Sequence, residues 1–104
     1  MRRTSIVDSI RKQMKQQYPA AQTILYGSEA RGDARPDSDI DLLVLIDGDR
    51  VTTETERYIT KILYQIELES DVVISSTILT HSQWENRPYK SPFMQNVERE
   101  GVTL

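Results

Sequence analysis

Two aspartates one residue apart, Asp39 and Asp41, begin the most apolar run of the chain, Ile40 to Ile46. On a strand, side chains two apart share a face and lie roughly 6.5 Å apart along it. Two carboxylates so placed repel, and burying them is costly. A divalent cation between them removes that cost. An oxygen-only donor set, with no sulfur or imidazole nearby, selects Mg²⁺ or Mn²⁺ over zinc or copper. Upstream, with ten residues between Ser28 and Asp39, Gly27-Ser28 follows the β-rich run Thr23-Ile24-Leu25-Tyr26. Ser28-Glu29-Ala30-Arg31 reads as one helical turn directly after that glycine. Glycine lets backbone approach a bulky anion, and the free N–H groups and the Ser28 hydroxyl can bind phosphate oxygens. Arg31 is a further phosphate or nucleotide contact. Each half also has an ordinary reading, a strand-ending turn and a pair of solvated acids at a loop-strand junction. Their combination is what points to chemistry.

A site with two metals or a general base needs a third acid. Asp71 is the best placed, since it opens a third β-branched and aliphatic run that extends to Leu79. Asp39 and Asp41 would then hold the metals, while Asp71 shares one and accepts the proton of an attacking hydroxyl, as in-line two-metal phosphoryl transfer requires. Glu69, two residues earlier, is the rival, and Asp71 as a plain strand-start acid stays open.

The elements that must position these residues alternate. Ile6, Ile10 and Met14, with Val7 beside them, form one stripe on a helix from Ser5 to Tyr18, closed by Pro19. Thr23–Tyr26 is a short strand. Ile40–Ile46, apolar on both faces apart from its aspartates, is a central strand covered on both sides. Thr53-Glu54-Thr55-Glu56 reads as a capping box opening a helix that buries Ile59, Ile62, Leu63 and Ile66. After the third strand, Thr80 or Ser82 caps a short helix carrying Trp84. Ser91 and Pro92 take the N-cap and N1 positions of a last helix, which Gly101 ends. The order predicts an α+β chain of two-layer character, a small mixed β-sheet packed by helices.

With 104 residues the chain is expected to form one domain, residues 1–104, with room for one site and hardly for a second, acceptor-binding domain. Its 16 acids against 13 bases, a net charge of -3, argue against nucleic acid as the main partner. No cysteine is present, which excludes thiolate catalysis and cysteine-ligated zinc, and the single histidine leaves His81 as a surface or capping residue. No apolar run approaches the roughly 20 residues of a membrane span, so the expected location is the cytoplasm. The tyrosines Tyr18, Tyr26, Tyr58 and Tyr64, with Trp84, are expected mainly in the core, and Tyr89 can face a partner or a base. Arg2, Arg3, Arg11, Lys12 and Lys15 are expected on the solvated face of the first helix. The acid excess is local: residues 28–49 hold Glu29, Asp33, Asp37, Asp39, Asp41, Asp47 and Asp49 against Arg31 and Arg35, a balance of -5.

Gly27-Ser28, ten residues, then Asp39-x-Asp41 in an apolar strand resembles the signature of the DNA polymerase β-like nucleotidyltransferase superfamily. The short length and the tail Pro92-Phe93-Met94…Val97-x-x-Glu100-Gly101 resemble its minimal nucleotidyltransferase branch. The strong match covers residues 23 to 46. The resemblance implies the fold of that superfamily, with Gly27 and Ser28 binding the nucleotide triphosphate, Asp39 and Asp41 binding metal, and Asp71 as a less secure third carboxylate. Arg31 and Gly32 match a frequent continuation of the motif. The implied activity is transfer of a nucleoside monophosphate, AMP from ATP, with Mg²⁺ or Mn²⁺, to an acceptor hydroxyl. Many minimal members resemble antitoxins encoded beside a HEPN-type ribonuclease toxin, whose tyrosine they adenylylate. The alternatives are a non-catalytic antitoxin that neutralises its partner by contact, and a transferase acting on RNA or a small molecule.

Overall fold

The computed structural model describes residues 3–104. The chain opens with helix α1, Arg3–Gln17, whose Ile6, Val7, Ile10 and Met14 are buried as one stripe. Strand β1, Gln22–Tyr26, leads into the single helical turn α2, Ser28–Arg31. An irregular loop carries the chain to β2, Ile40–Ile46, and helix α3 spans Thr53–Ser70. Strand β3, Ile74–Thr80, runs directly into the short helix α4, His81–Glu85. Helix α5, Pro92–Glu100, and a two-residue strand β4, Val102–Thr103, complete the chain.

The four strands form one mixed sheet in the order β3-β2-β1-β4. β1 pairs antiparallel with both β2 and β4, whereas β2 and β3 are parallel and joined by the α3 crossover. β2 lies inside the sheet, and Leu42, Leu43 and Val44 are fully buried, as the run of apolar residues requires. Its alternate side chains serve two cores. Ile40, Leu42, Val44 and Ile46 face α1 and the Ile59, Ile62, Leu63 and Ile66 stripe of α3. Leu43 and Leu45 face the other way, against Val97 of α5, with Ile24, Tyr26, Leu79, Trp84 and Phe93 around them. The architecture is the α+β arrangement of a small mixed sheet and helices read from the sequence. Among the described residues no helix is long and apolar enough to cross a membrane.

Several boundaries differ from the sequence expectation for local reasons. α3 is capped by Thr52, not Thr53, because the Thr52 hydroxyl accepts the Thr55 N–H. Thr80 caps α4 with a full capping box to Gln83, so Ser82 lies inside the helix. Ser91 accepts the Met94 N–H with Pro92 at the helix start, as expected. β3 begins at Ile74, three residues later than Asp71. Asp71 adopts left-handed φ 59 as the C-cap of α3, and its N–H bonds the Glu67 carbonyl. β4 was not anticipated, since two residues after a helix carry no periodicity. Tyr58 and Tyr64 are about half-exposed, because on α3 the buried stripe passes through Ile59, Ile62, Leu63 and Ile66 instead, while Tyr89, in the loop between α4 and α5, is exposed as its expected outward role requires. Tyr58 covers Tyr18 at a 5.9 Å ring separation and donates to the Gln17 carbonyl. Arg2 lies outside the described residues.

Candidate active site

The strand register assembles the site at one end of the sheet. Asp41 pairs with Tyr26 on β1 and with Ser75 on β3, so it shares its face with Leu43 and Leu45 and stands where that second core ends. The next residue after Tyr26 is Gly27, the N-cap of α2, with φ 80 and ψ -157. That region is essentially open to glycine alone. A Cβ at Gly27 would also collide with the Asp41 carboxylate, so the missing side chain lets the carboxylate lie against the turn. Within α2 the first amide to find a helical carbonyl is that of Arg31, which bonds Gly27. The preceding N–H groups of the turn have no partner further back in the helix and are free to meet an anion beside the Ser28 hydroxyl. Gly32, at φ 86, closes α2 in the left-handed conformation and donates to the Ser28 carbonyl at 3.0 Å.

Charge is unevenly balanced around Asp41. Partial burial raises its pKa, the neighbouring Asp39 carboxylate raises it further, and Glu100 adds to this, while Arg31 opposes them. Tyr26 beneath it is likewise pushed above the ordinary phenol by burial first and then by Asp41, against a Thr77 hydrogen bond that acts the other way. Arg31 donates from Nη1 to Glu100 Oε2 at 2.8 Å and from Nε to Asp33 Oδ2 at 3.2 Å. These two acceptors hold the guanidinium still more firmly protonated. The structure therefore brings together Gly27, Ser28, Arg31, Asp39 and Asp41.

Glu100 is a carboxylate of this cluster that the sequence reading used only as part of a tail pattern. β4 brings it there. Val102 and Thr103 pair antiparallel with Leu25 and Ile24, which carries Glu100 back to the level of Gly27. The Glu100 side chain is only 11% exposed. Asp71 and Glu69 lie at the end of α3, ahead of the strand that pairs with Asp41. Asp71 is the exposed C-cap residue, and Glu69 accepts from Gln65 at 3.3 Å. Arg3, expected on a solvated helix face, instead folds onto the loop between α2 and β2. Arg11 pairs with Asp8, and Lys12 and Lys15 are exposed as expected. His81 opens α4, 3.9 Å from Asp47.

The donor set fits a hard divalent cation. Burial first and the Asp39 charge second raise the Asp41 pKa, and a cation between the two carboxylates would relieve the second. Among the described residues no group of three or more Asp, Glu, His or Cys side chains is arranged to hold a metal ion. One or two carboxylates supplemented by substrate phosphates and water is the ordinary environment of Mg²⁺. A hollow of about 430 Å³ lies along α3 between Thr53 and Tyr64 and is lined by residues of that helix.

Residues 7–94 match the nucleotidyltransferase domain family. A curated relative from Methanocaldococcus jannaschii, named as a protein adenylyltransferase, is 35% identical over 81 residues, 78% of this chain and 75% of that protein. Among solved structures, a toxin-antitoxin complex with AMP-PNP superposes with a TM-score of 0.60 at 18% identity, covering 92% of this chain and 69% of that one. The toxin-antitoxin pair MntA-HpeT gives 0.62 at 20% identity, covering 94% and 70%. At such identities the two structures establish a shared fold. The domain match over most of the chain and the 35% identity to a relative covered for three quarters of its length place this chain in the nucleotidyltransferase domain family, as a nucleotidyltransferase.

Proposed function

We propose that this chain moves AMP from ATP to a hydroxyl of a partner protein, a tyrosine of a HEPN-type toxin, and so acts as an antitoxin in the cytoplasm. The observation that carries this reading is the contact between the Gly27-Ser28 turn and the Asp41 carboxylate. On this reading a turn that would bind phosphate lies beside a pair of carboxylates that would hold metal. The relative named as a protein adenylyltransferase and the toxin-antitoxin neighbours, one with AMP-PNP, support the donor and the class of acceptor.

The free N–H groups of α2 and the Ser28 hydroxyl bind the triphosphate, and Arg31 adds a cationic contact at its edge. Asp39 and Asp41 would hold Mg²⁺, which supplies neutralisation of the triphosphate and of the charge that develops in transfer. In the step itself the acceptor oxygen bonds the α-phosphorus, the bond to the β-phosphate oxygen breaks, and pyrophosphate leaves. The hydroxyl proton passes to a carboxylate at this end of the sheet. Asp71 holds that role on the spacing argument, although it stands three residues before the strand that flanks Asp41. Asp71→Asn is expected to slow AMP transfer in a radiolabel assay with little effect on ATP affinity by calorimetry.

Incubation with Mg²⁺-ATP and the product of the neighbouring gene, followed by mass spectrometry, tests the assignment. AMP is expected on a partner tyrosine, and absent when Asp39→Ala or Asp41→Ala replaces the wild type. Neutralisation of the toxin by an Asp41→Ala chain that transfers nothing would replace the reading with a contact antitoxin.

A further inference from the structure

The loop between α2 and β2 joins the two halves of the site, and one side chain from outside it touches both ends. Arg3, in the first turn of α1, donates from Nε to Glu29 Oε1, from Nη1 to the Pro36 carbonyl at 3.2 Å and from Nη2 to the Ser38 carbonyl at 2.7 Å. Glu29 follows Ser28 in the phosphate-binding turn, and Ser38 immediately precedes Asp39. The Arg3 and Glu29 side chains are only 17% and 13% exposed, so water screens this pair less than a surface ion pair. Residues 32–39 of the loop hold no helix or strand. A local turn, with the Ser38 N–H on the Arg35 carbonyl and the Arg35 N–H on the Ser38 hydroxyl, orders only its last part. The rest of α1 is anchored in the opposite core through Ile6, Val7, Ile10 and Met14.

We propose that Arg3 is a positioning residue for nucleotidyl transfer, clamping the phosphate-binding turn and the aspartate pair at one fixed separation. This rests on the reading of Gly27-Ser28 as the triphosphate site and of Asp39-Asp41 as the metal site. Asp39 and Asp41 would hold the cation on one limb while the Gly27-Ser28 turn would hold the nucleotide on the other, so the two binding events would reinforce each other only when the limbs are correctly spaced. Displacements of about an ångström suffice to weaken such an arrangement. A planar guanidinium can serve three acceptors in fixed directions, which a lysine ammonium on a flexible stem does not reproduce.

The test is the coupling between metal and nucleotide, measured as the ratio of ATP affinities with and without Mn²⁺ by calorimetry on the full chain. The wild type is expected to bind ATP more tightly with Mn²⁺. In Arg3→Ala and Arg3→Lys the coupling falls by about tenfold, while metal-free ATP affinity changes less. Arg11→Ala, on the same helix and paired only with Asp8, leaves the coupling unchanged. Should Arg3→Ala not fold by circular dichroism, Glu29→Gln keeps the two carbonyl bonds and lowers the coupling in the same direction. A folded Arg3→Ala or Arg3→Lys with wild-type coupling overturns the clamp alone. Absence of coupling in the wild type overturns the reading of the site itself, and the clamp with it.

Discussion

Asp41 is held in a contradictory position, on the face of a buried strand yet beside Asp39 and within reach of the Glu100 charge. In the folded, metal-free protein it binds its proton more tightly than in the unfolded chain. Its ionisation therefore costs the fold stability as pH rises from the unfolded carboxylate value of about 3.9 through the raised folded value. Asp41→Asn, which cannot ionise, is expected to melt at higher temperature than the wild type at neutral pH without metal. The gain should vanish below about pH 3.9, where both side chains are neutral. Mg²⁺ with a non-hydrolysable ATP analogue should then raise the wild-type Tm and leave that of Asp41→Asn unmoved. Glu100→Gln removes one charge that raises the Asp41 pKa, so the Asp41 carboxylate carbon should titrate at lower pH in NMR. Gly27→Ala meets both the positive φ and the Asp41 carboxylate. It is expected to cost about 1–3 kcal/mol in urea unfolding and to abolish nucleotide binding. These residues were legible in the sequence because a glycine, a serine and two aspartates at fixed spacing have few other joint uses. Glu100 and Arg3 were not, since each acts across a long sequence separation that no local pattern records.

At the scale of elements, the helices and strands follow from stripes and caps. The α3 stripe of Ile59, Ile62, Leu63 and Ile66 and the Ser91-Pro92 start of α5 stand where the pattern puts them. Boundaries shift where two caps compete, as Thr52 does with Thr53, or where a helix continues into a left-handed cap before a strand, as at Asp71. That shift bears on function, because it moves Asp71 from the head of a strand to the end of a helix. The Thr80 box is the clearest energetic test here. Thr80 is fully buried, its hydroxyl accepts the Gln83 N–H at 3.1 Å, and Gln83 Oε1 accepts its own N–H at 2.9 Å. Thr80→Ala should destabilise the protein by about 1 kcal/mol in urea unfolding, the typical value of a lost N-cap. Its nucleotide affinity should not change, since α4 follows the end of β3 away from Asp41.

At the scale of the molecule, the parallel β2-β3 pair and the antiparallel β1-β2 pair set Gly27 and Asp41 side by side, and β4 adds Glu100 from the far end of the chain. Residues 28–49 together carry -5, but of their acids Asp47 and Asp49 follow the far end of β2, so the negative charge facing the site is that of Asp39 and Asp41 with Glu100. A bare triphosphate is repelled there, so nucleotide binding is expected to weaken on chelation of divalent metal with EDTA and to be restored with Mg²⁺. The central claim, that the Gly27-Ser28 turn and the aspartate pair perform nucleotidyl rather than phosphoryl transfer, is tested most directly by the position of the transferred label. With partner protein and Mg²⁺, label from ATP carrying radioactive α-phosphate should appear on the partner, and label from the γ-phosphate should not. Both signals should be absent with Asp39→Ala or Asp41→Ala. Transfer of the γ-label, or α-label transfer that survives loss of both aspartates, would contradict the account.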